Sequence, residues 1–92
     1  MAENKINVEN LENVAGGNDG MRYGSWQDVR ASVATGYLAL RNYPSYDERN
    51  EIAAIQNGEA FRVFTGRRNG DYIWAFARGM EGWVNENYVV YF

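Results

Sequence analysis

The C-terminal stretch RRNGDYIWAFARGMEGWVNENYVVYF, residues 67–92, carries the pattern that decides the fold. Turn signals at Asn69-Gly70 and around Gly79 divide it into short apolar runs, because Gly tolerates the positive φ angles that tight turns require. Between the turns, side chains alternate with the period of two that is typical of a strand. The predicted strands are residues 71–77, a segment through residues 83–84, and residues 89–91.

The sequence upstream of this stretch also predicts short strands. EIAAIQNGEAFRVFTG, residues 51–66, predicts two strands joined at Asn57-Gly58, and RASVATGYLAL, residues 30–40, alternates around a Thr-Gly break. About five short strands at spacings of roughly 8 to 12 residues predict an all-β fold, a small barrel or sandwich. The residues predicted to fill its core are Leu38, Leu40, Ile52, Ile55, Phe61, Val63, Val84 and Val89.

Length and composition limit the functions open to the chain. Its 92 residues fit one domain, and a net charge of -3 without a basic stripe argues against nucleic-acid binding. The absence of Cys and His removes disulfides, the commonest metal ligands and the usual general base. No carboxylate pair stands out, and no apolar run approaches the roughly 18 residues of a membrane span. We therefore expect no enzyme activity, catalytic residue, metal, cofactor or membrane span.

Residues 31–92 resemble a bacterial SH3 domain (SH3b) in an ordered set of short motifs. The matching positions are Leu38, Leu40, Arg41, Pro44, Ser45, Gly58, Val63, Gly79, Gly82, Trp83, Val84 and Tyr88. The chain departs from the family pattern at Ala39, Tyr43 and Tyr72, where Asn, Gly and Trp are usual. The resemblance implies a small five-stranded SH3-like barrel over residues 30–92.

The N-terminal sequence INVENLENVAGG resembles a double-glycine leader peptide, the type carried by bacteriocins and other small exported proteins. That family places apolar residues four, seven and twelve positions upstream of the cut. Counted back from Gly17, these are Val14, Leu11 and Ile6. In the family, a leader peptidase fused to an ABC exporter cleaves after the second Gly of the pair, here Gly16-Gly17. This implies a secreted protein with a flexible leader over residues 1–17 and a linker or docked arm over residues 18–29, unless the glycines only end a helix.

The resemblance also indicates where a ligand binds. It places Tyr72 and Tyr88 at the groove that SH3 domains use for extended ligands, and the loop around Pro44 at the specificity loop. Aromatic side chains suit such a groove because they give rigid, partly polar contact area at low entropic cost. The predicted ligand-binding residues are Tyr43, Tyr46, Tyr72, Trp74 and Tyr88, with Asp47 and Glu48 to receive a cationic group.

The strand at residues 71–77 predicts a second surface. Tyr72, Trp74 and Phe76 share one face, and the family's alternation directs the opposite face, with Ile73, inward. Three outward aromatics mark an interface, unless the barrel is inverted or the arm 18–29 covers them. Trp83 is predicted to pack the core instead.

Three functions are consistent with these patterns. The first is a secreted module that binds a peptidoglycan peptide or another extended peptide. The second is a bacteriocin-like effector that acts on a competitor's envelope, which growth inhibition would distinguish from binding alone. The third is an interaction subunit whose outward aromatics pack against a partner chain, which self-association would reveal.

Overall fold

The computed structural model describes residues 23–92, which form seven β-strands and two short 3-10 turns. The strands are β1 (Trp26–Ala31), β2 (Tyr37–Arg41), β3 (Glu51–Gln56), β4 (Ala60–Asn69), β5 (Tyr72–Ala77), β6 (Met80–Asn85) and β7 (Val89–Tyr91). One 3-10 turn, Glu48–Asn50, precedes β3, and the other, Glu86–Tyr88, connects β6 to β7. The predicted leader positions lie outside the described residues; they are Ile6, Leu11, Val14, Gly16 and Gly17.

All seven strands belong to one antiparallel sheet in the order β3-β2-β6-β5-β4-β1-β7. The all-β prediction is confirmed, but the five-stranded SH3-like barrel is wrong. Within residues 23–92 the edge strands β3 and β7 do not pair with each other, so the sheet stays open. The predicted strand at residues 30–40 is interrupted before Gly36, which has a φ of 72°. Its first part, in β1, pairs with β4 and β7, whereas β2 pairs with β3 and β6.

Strand β1 begins before the predicted start of the folded domain. Residues 26–29 pair with residues 61–64 of β4, so this part of the predicted linker or docked arm belongs to the sheet. The pairing is extended by Ser25 and Thr65. The Ser25 amide donates to Thr65 Oγ1 at 3.0 Å, and the Thr65 amide donates to the Ser25 carbonyl at 3.0 Å.

Two predicted hairpin turns are confirmed. Asn57-Gly58 joins β3 to β4, and Gly58 has a φ of 82°. Arg78-Gly79 joins β5 to β6, with φ angles of 56° and 76°. Positive φ at both central residues is the two-residue turn geometry that matches the right-handed twist of paired strands.

One face of the sheet carries the core. Val29 of β1 and Ile55 of β3 belong to the same buried cluster although their strands lie far apart in the sheet, so the sheet curls around its core. Ile52, predicted to be buried, is 37% exposed because it lies three positions before Ile55 and strand residues alternate between faces. Val89 packs partly buried against the cluster. The cluster comprises Val29, Ala31, Leu38, Leu40, Ile55, Phe61, Val63, Ile73, Ala75, Ala77 and Val84.

Candidate functional site

A groove of about 700 Å³ is lined by the connection between β1 and β2, by the loop 42–50 and by the starts and ends of neighbouring strands. Its polar and aromatic side chains include four tyrosines, two carboxylates and one guanidinium. They are Tyr37, Tyr46, Tyr72, Tyr88, Glu48, Glu51 and Arg41. The groove therefore brings together four of the predicted ligand-binding residues, three tyrosines and Glu48, from three separate parts of the chain.

The tyrosines of the groove differ in exposure. Tyr46 is 78% exposed, and Tyr37 and Tyr88 are 47% and 48% exposed. Tyr72 is almost buried at 9%, so most of its ring already packs against protein. Tyr37 was missed from the sequence, because it joins the groove through its hydrogen bond to Glu51, fourteen residues along the chain.

The groove excludes three of the predicted residues. Tyr43 is 65% exposed but does not line the groove. The Asp47 carboxylate binds the Arg49 side chain at 2.7 Å and accepts a hydrogen bond from the Arg49 backbone amide. The bond to the backbone caps the start of the 3-10 turn. These hydrogen bonds hold the pKa of Asp47 below its usual value. Trp74 does not line the groove and lies on another part of the sheet.

The acidic groups of the groove are unequally paired. The Tyr37 hydroxyl donates to Glu51 Oε1 at 2.6 Å, and Arg41 Nη2 lies 3.8 Å from Glu51 Oε2. The hydrogen bond to Glu51 raises the pKa of Tyr37, and the nearby charge of Glu48 contributes in the same direction. Among residues 23–92, the Glu48 carboxylate has no hydrogen-bond or salt-bridge partner. The groove thus keeps one carboxylate available for a cation.

A second aromatic surface, here called the aromatic row, crosses the outer face of the sheet. It consists of Trp26, Phe64, Trp74 and Trp83, which lie opposite one another on β1, β4, β5 and β6. The rings of Trp26 and Phe64 are 5.4 Å apart, and those of Trp74 and Trp83 pack edge to face at 5.3 Å. The Arg67 guanidinium lies 4.1 Å from the Trp74 ring and 5.1 Å from the Trp83 ring.

The outer face of β5 is less open than the sequence predicted. Its aromatics do face away from the fully buried Ile73, as expected. They do not form one exposed patch, because Tyr72 is nearly buried beside the groove and Arg67 covers Trp74, leaving Phe76 43% exposed.

Trp83 is buried, with 3% exposure, but it is not part of the core cluster. The next residue, Val84, faces the core. Since side chains alternate along β6, Trp83 must lie on the outer face, where it packs against Trp74. Trp83 is thus buried, as predicted, although its partner is Trp74 on the outer face rather than the core cluster.

Comparisons with protein-family models, with curated proteins and with solved structures found no match. Within residues 23–92, no helix is long and apolar enough to cross a membrane. The same residues contain no cluster of three or more acidic side chains arranged to hold a metal ion.

Proposed function

We propose that the protein is a secreted, non-enzymatic binding module whose groove holds an extended peptide with a cationic group, such as a cell-wall peptide. The observation that carries this proposal is the convergence of the tyrosine rings with the unpaired carboxylate of Glu48. Aromatic faces attract cations, and tyrosines supply contact area with little loss of side-chain entropy. A carboxylate beside such rings adds a charge that favours an ammonium or guanidinium group.

The unequal pairing of the acidic residues supports a cationic ligand. Asp28, Asp47, Glu59 and Glu86 each form a salt bridge with an arginine of the chain. Glu48, in contrast, faces the groove without such a partner among the described residues. A cationic group of a ligand in the groove would pair with this carboxylate.

Two sequence resemblances support export and action at the cell envelope. The likeness to bacterial SH3 domains implies wall attachment or peptide recognition, and the double-glycine leader implies cleavage by the peptidase of an ABC exporter. N-terminal sequencing of the protein from the culture medium tests export, and a form that begins at Asn18 is expected. Recovery of the intact chain only, and only from inside cells, would contradict it.

Cosedimentation of the full chain with purified insoluble peptidoglycan tests the groove. The unaltered protein is expected to pellet. The Tyr46→Ala/Tyr88→Ala variant is expected to bind about tenfold more weakly or worse, because two aromatic contacts of roughly 1 kcal/mol each are removed. Circular dichroism would verify that the variant keeps its sheet.

Tyr43→Ala is the matched control for this experiment. Tyr43 belongs to the same loop as Tyr46 and is also exposed, but it does not line the groove. The control is expected to bind like the unaltered protein. If the unaltered protein stays in solution, wall binding is refuted. If the control and the double variant lose binding equally, the groove is refuted as the binding site.

A second candidate function, that of an interaction subunit, is favoured by rings left open on the outer face. Trp26 and Phe76 are 42% and 43% exposed, and exposed aromatics are frequent anchors of protein interfaces. Sedimentation velocity over a wide concentration range tests for self-association. A larger species that disappears in Trp26→Ser/Phe76→Ser would support this function, and a monomer at every concentration would exclude self-association.

A further inference from the structure

Arg41, the last residue of β2, is a buried cation beside the groove. It is only 6% exposed, although arginine is among the residues least often buried. Its Nη1 donates to the Asp47 carbonyl and to Asn50 Oδ1, both at 2.9 Å, and its Nη2 lies 3.8 Å from the Glu51 carboxylate. These partners are close together in the chain, so the guanidinium ties the end of β2 to the far end of the loop 42–50.

The partners of Arg41 in turn hold the rest of the loop. Asn50 donates from Nδ2 to the Ser45 carbonyl at 2.9 Å, and its own carbonyl accepts the Asn42 amide at 2.9 Å. The Tyr46 ring packs against the guanidinium, with 4.8 Å between Arg41 Cζ and the ring centroid. Both ends and the middle of the loop are therefore connected, directly or through Asn50, to one side chain.

We propose that Arg41 is a positioning residue of the groove, which holds the loop 42–50 in the conformation that presents Tyr46 and Glu48. Its guanidinium is committed to protein acceptors, so it acts through the loop rather than through the ligand. The consequence for binding rests on the function proposed above, whereas the consequence for the loop does not.

The chemistry of the site requires a guanidinium. The acceptors are a backbone carbonyl, an amide oxygen and a carboxylate, and the planar fork of arginine reaches them from two nitrogens while its face remains available to Tyr46. A lysine ammonium is a compact point charge and cannot combine these contacts with ring stacking. Arg41→Lys is therefore expected to keep the charge but lose the loop conformation.

The effect of losing Arg41 should be local. Its hydrogen-bond, salt-bridge and ring partners are Asp47, Asn50, Glu51 and Tyr46, and none of these belongs to the core cluster. Removal of the guanidinium would leave Asn50 Oδ1 buried without a hydrogen-bond donor. The loop is expected to open so that water reaches this oxygen. In the sheet around the core, no buried polar group among residues 23–92 would lose its partner.

The first test uses the unaltered full chain. NMR is expected to show separate, slowly exchanging Nη protons for Arg41. Arg49 provides the internal reference because its side chain is 90% exposed, and its Nη protons should exchange rapidly. Equally rapid exchange at both arginines would overturn the proposal. This measurement stands even where a variant fails to fold.

The second test compares Arg41→Met with Arg49→Met by amide hydrogen exchange. In Arg41→Met, the Asn42 and Asn50 amides should exchange about tenfold faster or more, since charge-assisted hydrogen bonds that order the loop are lost. The Ile73 amide in β5 should keep its protection. Arg49→Met is expected to leave the Asn42 amide unchanged. Unchanged exchange in Arg41→Met, or equal acceleration in both variants, would refute the positioning role.

The third test repeats the peptidoglycan sedimentation with the same variants. Arg41→Met is expected to lose binding about tenfold or more, as the Tyr46→Ala/Tyr88→Ala variant does, and Arg49→Met is expected to retain it. Retained binding in Arg41→Met would refute the link between loop and ligand. Failure of the unaltered protein to pellet would refute the proposed function instead, while hydrogen exchange still decides the role of Arg41 in the loop.

Discussion

The groove and the aromatic row are both rich in aromatic residues, but their rings have different partners. In the row, Trp74 and Trp83 pack against each other and against Arg67. In the groove, Tyr72 is nearly buried at 9%, but Tyr37 and Tyr88 are about half exposed and Tyr46 is 78% exposed. No contact between two aromatic rings was found in the groove within residues 23–92.

This difference shows that aromatic content alone does not identify a binding site. A ring that already packs against protein contributes to the free energy of folding, whereas a ring that faces water retains contact area for a ligand. Truncation of the packed ring of Trp83 should therefore change stability, and truncation of the exposed groove rings of Tyr46 and Tyr88 should change binding.

Trp83→Ala should cause the largest loss of stability. Trp83 is 3% exposed and packs against Trp74, and truncation of a buried Trp costs about 3–5 kcal/mol. Urea unfolding measures the change, with Trp26→Ala as the control from the exposed end of the same row. Trp26→Ala should lower the free energy of unfolding much less. Equal losses, or a loss below about 1 kcal/mol for Trp83→Ala, would contradict the stabilising role of the row.

Gly82→Ala should cost about 2–3 kcal/mol because it overpacks the contact between β6 and β2. A Cβ at Gly82 would lie 2.5 Å from the Arg41 carbonyl oxygen, so one of the two strands must move. Gly36→Ala is the control: its φ of 72° is strained for alanine, but the added methyl meets nothing within 4 Å. Urea unfolding should show the larger loss for Gly82→Ala, and the reverse order would refute the steric explanation.

The ion pair between Arg68 and Glu86 connects the two regions, because β4 carries part of the row and the turn Glu86–Tyr88 carries a groove tyrosine. Arg68 binds the Glu86 carboxylate at 2.8 and 2.9 Å, and Tyr91 donates to it at 2.6 Å. The Arg68 hydrogen bonds lower the pKa of Glu86 from its ordinary value of 4.5.

A lowered carboxylate pKa stabilises the fold above pH 4.5, and this contribution is lost as pH falls through the folded-state pKa. Glu86→Gln should therefore cost about 1 kcal/mol at pH 7, and its difference from the unaltered protein should shrink below pH 4.5. Urea unfolding at several pH values measures this change. Asp28→Asn, in the exposed pair with Arg62, is the control and should change little. A constant difference between pH 7 and pH 3 would contradict the proposed cause.

The sequence predicted local strand patterns better than the pairing of strands. The turn at Asn57-Gly58 and the last strand, Val89–Tyr91, follow from neighbouring residues and are confirmed. The sequence predicted that β1 begins at residue 30, whereas the strand begins at Trp26. Only Val29 and Ala31 of β1 are buried, and two buried residues are too few to give a recognisable alternation. Its first residues are strand because they pair with β4, more than thirty positions away, and no local pattern records that pairing.

The candidate site was predicted in part for the same reason. Tyr46, Tyr72 and Tyr88, three of the predicted ligand-binding residues, line one groove, and Tyr37 joins it only through the contact with Glu51. The local sequence did contain a signal that Asp47 is already paired and is not a ligand contact. Arg49 lies two positions later, where its side chain can neutralise the Asp47 carboxylate, and it does so in the structure.

Tyr46→Ala should have the smallest effect on stability. Its main packing partner is the Arg41 guanidinium, and an exposed contact between a cation and a ring contributes about 0.5 kcal/mol. Urea unfolding should therefore show a loss near that value, and Tyr43→Ala should show almost none because Tyr43 lies outside the groove. A loss as large as that of Trp83→Ala would mean that Tyr46 is structural, and the distinction between the two aromatic regions would fail. A small loss combined with weakened peptidoglycan binding would place Tyr46 among the ligand contacts, because the ring would then matter far more to the complex than to the fold.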